Sequence, residues 1–118
     1  MFSLTSSLHF SLYTLPTDMR KSFDGLCGIV QDKLNRNPMN GEVFVFINKA
    51  RNKIKLLHWE SGGFVLYYKR LEEGTIEVPL PPSKAQSFSI YWSELMLMIE
   101  GISLREVKKR KRFSLKNS

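Results

Sequence analysis

Apolar and polar residues alternate from Leu8 to Tyr13, with Leu8, Phe10 and Leu12 set against His9, Ser11 and Tyr13, the two-residue period of a half-buried strand. Pro16 stops that run, and the period then changes. Met19, Phe23, Leu26, Val30 and Leu34 recur every three or four residues, which predicts one face of an amphipathic helix. Thr17 offers the N-cap oxygen, and Asp18 places negative charge where the helix dipole is positive. Gly25 and Gly28 lie inside this helix, each costing about 1 kcal/mol relative to alanine. Close approach of the helix to a sheet is the compensation they suggest.

Asn35–Gly41 is dense in turn-forming residues and ends the helix. Three β-like runs follow: Glu42–Asn48, Lys53–Glu60 and, beyond Ser61-Gly62-Gly63, Phe64–Leu71. A shorter strand is expected at Thr75–Val78. Short connections between consecutive strands argue for an antiparallel meander rather than βαβ crossovers. Both parities are partly apolar, Phe44 and Phe46 against Val43, Val45 and Ile47, so the sheet should be covered on both faces, one of them by the first helix. Pro79–Lys84 reads as an extended linker, Phe88–Ile90 as a last short strand, and Tyr91–Glu100 as a helix with Trp92, Leu95, Met96 and Ile99 on one face. Gly101 is a suitable C-terminal stop.

Charge divides the chain in two. The net charge of +7 and pI near 9.7 favour anionic partners. Residues 1–104 hold 11 Lys and Arg against 10 Asp and Glu, whereas residues 105–118 hold seven against Glu106 alone. The expected organisation is therefore one nearly neutral domain over 1–104 followed by a disordered basic tail over 105–118, since blocks of like charge repel themselves until a partner neutralises them. Cys27 is the only cysteine, so neither an internal disulfide nor a thiolate metal cluster can form. No apolar run reaches the eighteen or more residues of a membrane span. The N-terminus lacks a secretory pattern, and a cytoplasmic protein without a membrane partner is expected.

Two basic features are candidate phosphate contacts. The tail carries Lys108, Lys109, Arg110, Lys111 and Arg112 in succession. The second feature is Asn48–Lys55, where Lys49, Arg51, Lys53 and Lys55 occupy alternate positions between two β-like runs. This pattern reads as a hairpin with positive charge at or near its tip. A two-stranded ribbon fits the major groove, and alternate residues on extended chain face one way. The competing reading is a wet turn with ordinary solvated lysines. Lys69 and Arg70, beside Tyr67 and Tyr68, either extend the same surface or cover the sheet with their stems.

Catalysis finds little support. His58-Trp59-Glu60 has the H-x-E spacing of zinc deaminases, but no C-x-x-C supplies the remaining ligands. Asp18, Asp24 and Asp32 are spaced too widely on one helix to clamp a single metal ion. No glycine-rich phosphate loop or nucleophile constellation appears, and no cofactor is implied.

Two longer motifs carry a family resemblance. Pro16–Leu26 (P-T-D-M-R-K-S-F-D-G-L), together with Gly41–Gly74, which contains N-K-A-R-N-K-I-K and H-W-E-S-G-G-F-V-L-Y-Y-K-R-L, resembles the small accessory protein of bacterial insertion sequences of the IS66 type. This is the second open reading frame product, often called TnpB, and the resemblance runs from about Leu8 to Gly101. It implies a non-catalytic protein that is required for, or assists, transposition beside a separate transposase encoded by the same element. Similar chains open the last helix with Ser or Thr and close it with Leu-Glu-Gly. Here Tyr91 stands at the opening, with Ser89 as the alternative cap, and Ile99-Glu100-Gly101 keeps the close.

The expected fold is α+β: an N-terminal strand, a helix, an antiparallel β-meander of three to four strands, a C-terminal helix and a flexible basic tail. The expected function is DNA binding at transposon ends in support of the transposase, with Lys108–Arg112 first and Lys49, Arg51, Lys53 and Lys55 second. A protein-interaction adaptor for the transposase, without direct DNA binding, is the alternative.

Overall fold

The computed structural model describes residues 4–101. Five strands and two helices follow one another along it: β1 (Phe10–Tyr13), α1 (Phe23–Asp32), β2 (Val43–Ile47), β3 (Lys53–Glu60), β4 (Gly63–Arg70), β5 (Ser87–Ile90) and α2 (Trp92–Glu100). They form one five-stranded sheet in the order β4-β3-β2-β1-β5.

The meander expected from the short connections is present as β2-β3-β4, antiparallel throughout. Its Ser61-Gly62 turn sets both central residues at positive φ, 50° and 80°, as a type I′ hairpin requires, and Glu60 pairs directly with Gly63. The N-terminal strand departs from an all-antiparallel sheet. β1 runs parallel to β2, with α1 as the crossover between them, because a chain leaving one strand and returning beside it in the same direction needs a helix-length connection. β5 then pairs antiparallel on the outer edge of β1.

Both faces of the sheet are covered. Phe44, Phe46, Leu57 and Tyr13 pack with Leu26 and Val30 of α1. The opposite parity, Val43, Val45, Ile47, Ile54 and Leu56, packs with Leu95, Met98 and Ile99 of α2 and with Ile76. The two full layers explain why β2 is buried at all five positions and reads as an uninterrupted apolar run.

Several local expectations are corrected. α1 begins at Phe23, not beside Thr17, and no side chain caps it. Thr17 is instead buried, its N–H donating to Ile47 O at 2.9 Å. Asp18 accepts from Arg20 rather than from a helix end. The glycines of α1 do not mark a close approach to the sheet: among the described residues a Cβ on Gly28 would meet nothing within 4 Å, and the nearest atoms to one on Gly25 belong to the Lys21 side chain. Asn35, at φ 52°, turns the chain out of the helix as the turn-rich segment predicts. Thr75–Val78 forms no strand; its Ile76 N–H donates to Arg51 O at 2.6 Å, and the side chain fills the core. Tyr91 is the N-cap residue of α2 and its N–H donates to Glu94 Oε1, while Ser89 belongs to β5. On α2 the buried face is Leu95, Met98 and Ile99, and Trp92 stays partly exposed. Gly101 closes the helix in the left-handed conformation, φ 72°.

Candidate nucleic-acid interface

The connection between β2 and β3 is built around Asn48. Its Oδ1 accepts from the N–H groups of Asn52 and Lys53, both at 3.0 Å, and its Nδ2 donates to Asn52 Oδ1 at 2.7 Å. Arg51 N–H donates back to Asn48 O at 3.0 Å, and Arg51 adopts φ 57°. An asparagine at this position lets a side chain replace the missing ladder bonds, which is why a polar residue closes two apolar strands. A second segment ties the turn from outside, Leu71 N–H donating to Asn52 O and Ile76 N–H to Arg51 O. The basic tip is therefore held on both sides. Lys49 and Arg51 are exposed on it, and Lys53 is half-buried at the start of β3.

Lys55 does not join them. It is only 4% exposed, and its ammonium donates to Met19 O at 2.7 Å and Lys21 O at 2.6 Å. It also lies 4.5 Å from the centre of the Tyr68 ring. Burial lowers its pKa, and the Asp18 carboxylate partly offsets that shift. Lys55 is thus a clasp that binds the Pro16–Lys21 segment to the sheet, and its removal from the set of phosphate contacts is a correction to the alternating pattern. Of the pair on β4, Arg70 lies opposite Lys53 and donates to Glu72 Oε1 at 2.8 Å, whereas Lys69 lies opposite Ile54. Lys108, Lys109, Arg110, Lys111 and Arg112 lie outside the described residues.

The clasp brings two distant motifs to one place. Pro16, Thr17, Asp18, Met19 and Arg20 supply one wall segment of a cleft of about 600 Å³; Asn48, Lys49, Ala50 and Lys53 supply a second, and Tyr68 completes the lining. Asp18 is paired with Arg20 at 2.6 Å, and the Arg20 guanidinium holds its carboxyl down at about 2. Its charge is therefore matched within the wall, leaving Lys49 and Lys53 as the cations of the opening. Nothing in the spacing of either motif alone reveals this cleft, because it depends on a bond spanning more than thirty residues.

The histidines serve elsewhere. His58 is buried, with Nε2 3.2 Å from Gly41 O and Nδ1 3.2 Å from Glu60 Oε2. The H-x-E pair thus stitches β3 to the start of β2. His9 Nε2 lies 3.0 Å from Ser89 Oγ, a pair that sequence spacing could not disclose because eighty residues separate them. The nearby Glu94 carboxylate accepts from Tyr91 N–H, at the opening of α2. Among the described residues no group of three His, Cys, Asp or Glu side chains stands close enough to hold a metal ion.

A model of the IS66 Orf2-like proteins matches residues 8–109. The chain belongs to the IS66 Orf2-like family. This is an accessory family of insertion sequences rather than a known enzyme family. Two similar proteins come from Sinorhizobium fredii. The uncharacterized protein y4jC is 28% identical over 110 residues, covering 93% of this chain and 92% of that one. The uncharacterized protein y4hO is 32% identical over 89 residues, covering 75% and 76%. No solved structure matches the chain. The IS66 Orf2-like match spans both walls of the cleft, α1 and the whole sheet.

Proposed function

We propose that this IS66 Orf2-like protein is a non-catalytic accessory factor of transposition that binds DNA, at the ends of its element, and assists a separate transposase encoded by the same element. The observation that carries the reading is the basic turn bearing Lys49, Arg51 and Lys53, whose backbone is braced by Asn48 from within and by Leu71 and Ile76 from without. A braced backbone loses less freedom on meeting phosphates than a loose loop would. The basic run Lys108–Arg112 adds the larger share of charge and makes the first, sequence-independent contacts. Phosphate contacts position a protein without reading sequence, so choice of the element ends falls to groove contacts or to the transposase. The setting is the cytoplasm, and no helix among the described residues is long and apolar enough to cross a membrane.

A second reading, an adaptor that docks the transposase without touching DNA, draws on one observation. Leu80, Tyr91 and Trp92 are 91%, 77% and 38% exposed on the side of the fold carried by β5 and α2. Aromatic residues on a surface favour protein interfaces.

Binding of labelled element-end DNA and random DNA across a salt series separates the two. Wild type, a chain ending after Leu104, and a Lys49/Arg51/Lys53→Gln variant are compared. DNA binding predicts a log–log salt slope that falls in both variants, by about 0.9 for every phosphate that is no longer neutralised. Equal weak binding by all three, with co-purification of the transposase intact, supports the adaptor and refutes DNA binding.

A further inference from the structure

The cleft beside the turn is not required for holding phosphates of a duplex. Duplex DNA presents its phosphates as outer ridges and keeps its bases stacked inside, so exposed lysines on a convex turn suffice to meet it. Here the cations border an open cleft of about 600 Å³, and an aromatic ring lines it. Tyr68 is 50% exposed, although it sits on a strand whose pairing to β3 is complete. Beneath it the Lys55 ammonium, fixed by Met19 O and Lys21 O, holds the ring in place. Lys49 and Lys53 line the same cleft, and the one carboxylate in the lining, Asp18, is paired with Arg20. A ring with cations around it is the arrangement by which proteins hold unpaired nucleotides, the base stacking and the backbone meeting the charges.

We propose that this cleft seats one unpaired nucleotide of single-stranded DNA, its base against Tyr68 and its phosphate at Lys49 and Lys53. The inference rests on the DNA-binding reading above and adds to it the form of DNA: a frayed or nicked end rather than intact duplex. Cutting a strand exposes ends at which a terminal nucleotide can unpair, so an accessory protein that holds one would act while strands are cut and joined.

The test uses the full-length chain and fluorescence anisotropy with three labelled probes of about twelve residues, within the site size of single-strand binders. The probes are single-stranded DNA, its duplex, and single-stranded RNA of the same sequence. The variants are Tyr68→Leu, Tyr68→Phe and Lys53→Gln, each checked for a wild-type melting curve. Basic residues elsewhere in the chain act on every probe, so the informative quantity is the difference between probes. Wild type should prefer the single DNA strand, Tyr68→Leu should weaken that probe roughly tenfold while changing duplex binding less than about twofold, and Tyr68→Phe should bind like wild type. Lys53→Gln should weaken the single strand more than the duplex, which guards against an unfolded Tyr68→Leu protein. Salt-dependent binding with equal weakening on both DNA forms, or none, overturns the inference and leaves the DNA-binding reading standing. No binding to either DNA overturns both. Tyr68-dependent binding to RNA alone overturns the choice of DNA.

Discussion

Replacing Lys55 by Met keeps the aliphatic stem in the sheet and deletes only the ammonium. In the native chain that ammonium makes two hydrogen bonds, 2.7 and 2.6 Å long, to Met19 O and Lys21 O, and a cation–π contact with Tyr68. Hydrogen bonds to a charged group contribute about 1.5–3 kcal/mol each, and the ring contact about 1 kcal/mol. Against these stands the cost of burying an ammonium, several kcal/mol, which the variant no longer bears. The two carbonyls belong to a segment with exposed neighbours, so water recovers part of the deficit. The net destabilisation is about 2–3 kcal/mol, or roughly 10 °C in Tm for a domain of this size. The salt dependence of DNA binding should nevertheless be unchanged, because a buried, internally bonded ammonium releases no counterion. Lys53→Gln should do the reverse, leaving Tm within about 2 °C and lowering the slope by about 0.9. Thermal melting and salt-series anisotropy on both variants provide the check. A Lys55→Met protein that melts like wild type and has a reduced salt slope would refute the clasp.

Gly28→Ala should stabilise the chain by about 1 kcal/mol in a denaturant titration, since the position is helical and open; destabilisation would revive a packing role for the glycine. Thr17→Val should be neutral or stabilising by up to about 1 kcal/mol, because the buried hydroxyl has no hydrogen-bond partner among the described residues; clear destabilisation would show that it has one in solution. Asp18 should titrate at about 2 by carboxyl NMR and move back toward 3.8 in Arg20→Gln. Its folded pKa lies below the unfolded value, so the stability it adds is complete above pH 3.8 and disappears as pH falls through about 2; an unshifted midpoint in wild type contradicts the pairing.

What could be read directly from the chain was what local periodicity encodes. A strand within Leu8–Tyr13, the meander and the double-sided burial of β2 depend on neighbours one to four residues away, or on the parity of a single strand; the half-buried reading of that first strand is corrected, because β1 is buried at all four of its positions. The parallel pairing of β1 with β2 was not legible, because β1 pairs through contacts to residues more than thirty positions on, after α1 has crossed the sheet. Thr75–Val78 has strand-like composition, but its Ile76 N–H donates to Arg51 O in the turn between β2 and β3 rather than to a strand edge. Thr17 looked like a cap because it precedes an apolar period; its N–H is claimed by Ile47 O, which delays the helix to Phe23. The site shows the same division. Lys49, Arg51 and Lys53 lie where the alternation placed them, near the tip. Lys55 obeys the same alternation yet is buried, because strand parity aims it at the Met19–Lys21 backbone. The cleft itself, made of two motifs joined by that contact, exists only in three dimensions.

That DNA meets the braced turn and the cleft beside it is tested most directly by backbone amide NMR of the full chain. The titrant is element-end DNA carrying a short single-stranded extension. Shifts at Thr17–Arg20, Lys49–Lys53 and Tyr68, saturating together, are the predicted result. Shifts confined to the Leu80–Trp92 side, with residues 49–53 unmoved, would contradict it.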